Sequence, residues 1–162
     1  MTPPRPIPMS DLSAPVRDDL LALNNAHAVE TSELTAAEWD SMQAEAFAAL
    51  AIGNAGFVLA FDQTAQYSST NFQWFQNRFE RFVYVDRIVV SAQSRGQGVA
   101  RMLYQALFAL ARDAAHPRVV CEVNQTPPNP GSDAFHAALG FRPLETRALS
   151  PTKTVQYLEC PI

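Results

Sequence analysis

Phe82 to Val90 (FVYVDRIVV) runs into a polar loop, Ser91 to Arg95, then a turn, Gly96-Gln97-Gly98, and a helical stretch from Val99. A strand, a glycine turn and a helix in that order can bind an anion. Glycines let the backbone approach closely, and the unpaired amides of the first helical turn point at the ligand. Gly96, Gly98 and the small Ala100 stand where that approach is needed. Arg95 and Arg101 flank them and could add charge to a pyrophosphate or a ribose phosphate. Two carboxylates are the other chemical signal: Asp86 in VYVDRIVV and Glu122 in VVCEV. An acid in a strand otherwise full of apolar residues is costly unless it is paired or functional. Pairing of Asp86 with Arg87 is the structural alternative. Tyr84 shares a strand face with Asp86 and could line the same cavity.

Two familiar phosphate motifs do not fit the turn. A P-loop needs a longer glycine spacing followed by Lys and Ser or Thr. A dinucleotide fingerprint needs a third small residue where Arg101 stands, and it would open the domain rather than follow its midpoint.

The elements that must position these residues read as α/β. Four prolines through Pro8 suggest a loose tail, taken as residues 1–10, ahead of one domain over 11–162. Leu20, Leu21 and Leu23 suggest a first helix ending near Asn24 and Asn25. Thr35 could cap a second, with Trp39, Met42, Ala46 and Phe47 on one face. Apolar runs on either side of Gly53-Asn54 read as a hairpin, though the Ala-rich first run could also be the end of a helix. The aromatic segment from Gln66 to Arg81, with Trp74, Phe75 and Phe79 at helical spacing, reads as a short helix or lid. Leu103, Leu107 and Leu110 mark one face of a helix from Val99 to Ala111. Val119 to Val123 forms a second central strand, parallel to the first because a helix connects them. Ser132 looks like the cap of a short helix ending at Gly140, with Asp133 at its positive end. Strands over Phe141 to Leu149 and Thr154 to Leu158 close the chain.

Gln93-Ser94-Arg95-Gly96-Gln97-Gly98 directly after VDRIVV resembles the signature of the GNAT acetyltransferase superfamily, Q/R-x-x-G-x-G/A. A second match lies in VVCEVN followed by Phe135-His136-Ala137-Ala138-Leu139-Gly140-Phe141, which is similar to that family's asparagine after strand five and its aromatic–x–x–x–L-G-F segment. The resemblance implies a three-layer fold, a mixed central sheet flanked by helices, with parallel strands four and five splayed apart. It implies acetyl-CoA as acyl donor, no metal, and direct attack of a neutral primary amine on the thioester. The amides of Gly96, Gln97, Gly98, Val99 and Ala100 would hold the pyrophosphate. Ile88, Val89 and Val90 would offer backbone to the pantetheine, and Asn124 would bond the pantetheine or a nearby loop. Since an amine at neutral pH is mostly protonated, a base is useful, and Asp86 and Glu122 are the candidates. Where family members often carry a tyrosine that protonates the departing thiolate, this chain has His136, which could do the same or hydrogen-bond the cofactor or a loop. Asn24, Asn25 and Glu30 could edge the acceptor site.

Composition narrows the partners. A net charge of −4 with no basic block gives no sign of nucleic acid or an anionic membrane. No apolar run is long enough to span a bilayer, and the Pro-rich start with Asp11, Asp18 and Asp19 lacks a signal-peptide pattern, so a cytoplasmic protein is expected. Cys121 and Cys160 show neither a disulfide framework nor metal-ligand spacing, and His27 and His116 look like surface or helix-end residues. Two functions remain in view. One is an acetyltransferase for a small amine, with a protein amino terminus or lysine as the variant acceptor. The other is an acyl-CoA-binding module without catalysis, motivated by His136. The C-terminal strands could pair with another subunit.

Overall fold

The computed structural model describes residues 4–27 and 31–162. In chain order the elements are β1 (Ile7–Pro8), α1 (Ala14–Ala26), α2 (Ala36–Glu45), β2 (Ala48–Ile52), β3 (Gly56–Asp62), α3 (Thr70–Gln76), β4 (Val83–Val90), α4 (Val99–Asp113), β5 (Arg118–Thr126), α5 (Pro130–Leu139), β6 (Arg142–Ser150) and β7 (Lys153–Pro161). The strands form one mixed sheet, ordered β1-β2-β3-β4-β5-β7-β6. Only β4 and β5 run parallel, as their helical connection requires. Among the described residues no helix is long and apolar enough to cross a membrane.

Alternation along the strands divides the core. One face carries Val58, Val83, Val85, Val119, Cys121 and Val123 against Leu103, Leu107 and Phe108 of α4. The other carries Phe57, Phe61, Tyr84, Val120 and Tyr157 against Leu20 of α1, Trp39 of α2 and Phe72 and Phe75 of α3. The α4 stripe differs from the leucine face expected from spacing. Val99, Leu103, Tyr104, Leu107, Phe108 and Ala111 are buried, whereas Leu110 is 41% exposed.

Two irregularities create the site. The β3–β4 register passes from Leu59↔Arg87 to Ala60↔Val85, leaving Asp86 as an extra residue in a β-bulge. The bulge breaks the strict alternation that would point Asp86 and Arg87 to opposite faces, and the two side chains meet. Parallel pairing of β4 with β5 is confined to Val83↔Val119 and Tyr84↔Val120. Beyond those pairs the strands part. The expected splay is present, with β4 unpaired on its β5 side from Val85 onward.

Local signals explain most boundaries. Thr35 accepts from the Glu38 amide while Glu38 accepts from the Thr35 amide, a full capping box. The helix it opens ends at Glu45, so Ala46 and Phe47 lie past it. Gly140, at φ 103°, ends α5 in the left-handed region. The cap at the other end of α5 is Asn129, not Ser132: its side chain accepts from the Ser132 amide, and Pro130 occupies the first turn, where no amide is needed. The N-terminal segment also differs from expectation. Ile7 and Pro8 pair with β2, and Met9 is wholly buried, so the loose stretch does not reach residue 10. His116 is buried, not superficial, with its ring against Phe47 and Nε2 3.8 Å from Asp62.

Candidate active site

Backbone builds one half of the site. Gly96 and Gly98 have φ of 76° and 80°, a region L side chains rarely adopt, and a Cβ at either would meet nothing within 4 Å. The space over the turn is therefore open. Gly98 is the N-cap of α4 and supplies no side chain to satisfy the first amides, which remain free for an anion. A hollow of about 340 Å³ lies there, with Arg95, Ala100, Arg101 and Phe135 in its wall. It shares Val90 and Arg95 with a second hollow of about 380 Å³ along Ile88 and Val89. That one shares Thr31, Ile88 and Asn129 with a cavity of about 230 Å³ at the splay. A groove thus runs from the glycine turn, beside the unpaired edge of β4, to the gap between β4 and β5. These residues fit a CoA-type donor, because the turn offers free amides with open space above them and two arginines beside them. The Gln97 side chain turns back onto the Gln93 carbonyl, 3.2 Å away, and Gln97 is absent from the wall of the hollow over the turn. Arg95 donates to Nε2 of His27 at 3.1 Å, giving that histidine a partner the sequence did not suggest.

Side chains from distant elements build the other half. Glu122 lies on the second face of the sheet, where the Tyr84 hydroxyl donates to it, 2.8 Å from Oε2 and 3.0 Å from Oε1. Nδ2 of Asn71 donates to Oε1 at 3.1 Å. The Tyr157 hydroxyl in turn donates to Oδ1 of Asn71 at 2.9 Å. Burial pushes the Glu122 carboxyl up to about 7, against the opposing hydrogen bonds of Tyr84 and Asn71. Lone pairs remain on this carboxylate, so it can take a proton.

Asp86 is differently placed. Its Oδ1 accepts from the Tyr67 hydroxyl at 2.5 Å and its Oδ2 from Nε of Arg87 at 2.7 Å. Arg87 is 6% exposed and also reaches Oδ1 of Asn24 and Oγ of Ser32. Asp86 thus supplies the counter-charge of a buried guanidinium, which would be costly to leave unpaired. The pairing weighed from sequence as the alternative for Asp86 is what the structure contains.

The opposite wall of the cavity is Tyr104 of α4 and His136 of α5. Nδ1 of His136 lies 2.8 Å from the Ser132 carbonyl, which can only accept, so that nitrogen carries the proton. Nε2 then accepts from the Tyr104 hydroxyl at 2.8 Å. Burial lowers the tendency of this imidazole to charge.

Of the residues singled out by sequence, the groove and cavity bring together Ile88, Val89, Val90, Arg95, Gly96, Gly98, Val99, Ala100, Arg101 and Phe135 on one side and Asp86, Glu122, Asn124 and His136 on the other. Tyr84 does not line the cavity; it stands behind Glu122, 1% exposed. Asn24 and Asn25 are not at the acceptor edge either. They bond Ser32 and Leu34 and brace the segment that carries Thr31 into the cavity wall. Glu30 lies outside the described residues. Sequence reasoning missed Asn71, Tyr104 and Tyr157, and had Tyr67 only as a member of the aromatic segment read as a short helix or lid. Tyr104 carried a usable signal, as a phenol on the apolar stripe of α4, because a buried hydroxyl wants a partner.

The family model described as "Acetyltransferase (GNAT) family" matches residues 20–141. No curated protein sequence matches the chain. Among solved structures, the NatC complex bound to Gag peptide and CoA is similar at TM-score 0.70 and 12% identity, over 97% of each chain. The ribosomal-protein-S18-alanine N-acetyltransferase of Escherichia coli aligns at TM-score 0.66 and 17% identity, over 93% of this chain and 90% of that one. The yncA acetyltransferase of Salmonella typhimurium, solved with its cofactor acetyl-CoA, aligns at 0.62 and 17%, over 90% and 89%. At these identities the likeness is one of fold.

Proposed function

Because the chain belongs to the acetyltransferase (GNAT) family and is thus an acyltransferase, we propose that it transfers the acetyl group of acetyl-CoA to the primary amine of a small molecule. The observation that carries this reading is the junction at the splay. There a groove from an open glycine turn meets a carboxylate raised to about 7.

Acetyl-CoA, when bound, supplies an acetyl group activated as a thioester. The amides of Gly96 to Ala100 hold its pyrophosphate, helped by Arg101 and by Arg95 once it leaves His27. The unpaired edge of β4 from Ile88 to Val90 orients the pantetheine, and Asn124 lies on the part of β5 that has already separated from β4, opposite Val155 of β7. Glu122 takes the proton that the amine loses on attack. A carboxyl near 7 suits that task, since it is half deprotonated at neutral pH and holds a proton firmly enough to accept one. Asp86 is a positioning residue, fixing Arg87 and Tyr67 around the bulge. On the far wall the Tyr104 hydroxyl gives its one proton to Nε2 of His136 in the resting site; turned about its C–O bond away from His136, it can give that proton to the leaving sulfur instead. His136 itself, neutral and protonated on the wrong nitrogen, has no proton to offer there.

The choice of a small acceptor rests on the segment between β3 and β4. Tyr67 and Asn71 from it lie over the catalytic face and bond Asp86 and Glu122 directly. This covers the acceptor side with side chains instead of leaving an open trough. The test is thiol release from acetyl-CoA with a panel of small primary amines and of peptides with free amino termini. Turnover of small amines, lost in Glu122→Gln with acetyl-CoA binding kept, is the expected result. Turnover of peptides alone would replace the small amine with a protein acceptor.

A further inference from the structure

Outside the reaction cavity, a hollow of about 390 Å³ lies between α3 and β6, lined by Thr70, Gln73, Trp74, Asn77, Arg78 and Arg147. Its lining is one-sided in charge: two guanidiniums, two amides, a hydroxyl and an indole, with no carboxylate. Arg78 is held in place over the Trp74 ring, 5.0 Å from its centroid. Arg147 comes from a different element, β6, where it sits opposite Val155. Among the described residues neither makes an ion pair, whereas Arg118 and Arg142 are both taken by Glu159. Lys153, the one lysine of the chain, likewise lines the reaction cavity without an ion pair among those residues. Arg78 and Arg147 in the hollow and Lys153 in the reaction cavity thus put three cations on the acceptor side, with Arg147 also beside the Tyr157 hydroxyl. The acid that faces this region is Glu145, across the strand from Tyr157.

The hollow abuts the reaction cavity at two places. Thr70 lines the one and its neighbour Asn71 the other; Arg147 lines the one and its cross-strand partner Val155 the other. The partition is a side-chain wall: Trp74 stacks on Tyr157 at 4.1 Å, and Tyr157 connects through Asn71 to Glu122. Two guanidiniums facing one space repel each other unless an anion sits between them, and arginine matches carboxylate and phosphate oxygens with paired donors.

We propose that this hollow binds an anionic group on the acceptor, so that the substrate is a primary amine whose other end carries a carboxylate or a phosphate. The inference rests on the small-amine reading above. Arg78 and Arg147 hold the anion, Gln73, Asn77 and Thr70 complete its hydrogen bonds, and Lys153 adds positive charge along the path to Glu122. A diamine would bring a second positive charge to these cations and be rejected.

Matched amines long enough to pass the Tyr157 wall test it with the full chain: 6-aminohexanoate against hexylamine, 5-aminopentyl phosphate against 5-aminopentanol, and 1,6-diaminohexane as the cationic member. The expected kcat/KM is about tenfold or more higher for the anionic member of each pair, through KM. Arg78→Ala with Arg147→Ala is expected to bring that ratio down about tenfold, and the double lysine variant to restore part of it. Inorganic phosphate is expected to compete with the amine and not with acetyl-CoA. Equal or better use of the neutral amines or the diamine overturns the anion site while leaving the small-amine reading intact. So does a ratio unmoved by the arginine variants. Acetyl-CoA binding without transfer to any of the five amines, alongside transfer to a peptide amino terminus, overturns the small-amine reading itself.

Discussion

The two halves of the site are built from different materials. The donor half is main chain: two glycines in left-handed conformation, the free amides of one helix end and the unpaired edge of β4, all within residues 85–101. The acceptor half is side chain: Asn71 from α3, Tyr84 from β4, Glu122 from β5 and Tyr157 from β7, joined by hydrogen bonds spanning up to 86 residues of sequence. A main-chain site depends on conformation and tolerates varied side chains. A side-chain site depends on identity and can be retuned one residue at a time. This suits a family in which one donor is combined with many acceptors.

The largest effects should fall on the acceptor half and spare donor affinity. Glu122→Gln keeps the shape and removes the base, so kcat/KM should fall by ~10²–10³, with acetyl-CoA affinity within about twofold of the parent by titration calorimetry. The pH profile carries the sign. As the proposed base Glu122 would act deprotonated, so rate in the parent should rise with pH through about 7, and that limb should vanish in the variant. A parent profile flat from pH 6 to 8 would remove Glu122 from the mechanism. On the donor half the converse holds. Gly98→Val forces a β-branched residue to a φ of 80° and puts methyl groups into the open space over the turn. Acetyl-CoA affinity should weaken ~10–100-fold, with the amine KM unchanged at saturating donor.

This division also explains what could be read from sequence. The glycine turn, the parallel strands around it and the Gly140 cap are local, because glycine, proline and strand alternation act within a few residues. The Leu103–Leu107 face of α4 followed for the same reason, but Leu110, which helical spacing put on the same face, points to solvent. Glu122 was visible as an acid in an apolar strand. What joins it to Asn71 and Tyr157 was not, since nothing local records that residues from α3 and β7 converge. The fate of Asp86 turned on a one-residue bulge, which alternation cannot reveal. His116 does stand at a helix end, where its amide bonds the Ala111 carbonyl, but nothing local records that tertiary packing buries it.

Tyr104→Phe tests whether the two halves meet at the leaving group. The ring keeps its packing against Phe135 and Phe141, while Nε2 of His136 loses its donor. A drop of about tenfold in kcat is expected for alkyl amines, and a smaller one with a thioester donor whose thiol is more acidic, because a better leaving group needs less help. The same loss with both donors would make Tyr104 a packing residue only. His136→Phe should show the weaker version of this pattern, since the hydroxyl remains but loses its guide.

The smallest expected effect on rate carries the finest information. Asn71→Ala removes a hydrogen bond that favours the ionised form of Glu122, without touching the burial that raises it. The Glu122 carboxyl should therefore titrate higher, and the alkaline-rising limb should move above 7. At pH 9, where the carboxylate is fully formed in both proteins, kcat should differ by no more than a few fold. At pH 6.5 the gap should widen, because less of the variant is deprotonated there. Tyr157→Phe should move the limb the same way by less, as it acts on Glu122 only through Asn71. A limb that shifts down, or a gap constant across pH, would mean that Asn71 serves the acceptor directly and not the base. The acceptor half would then be a binding surface first and a proton-transfer network second, closer in kind to the donor half than its side-chain construction suggests.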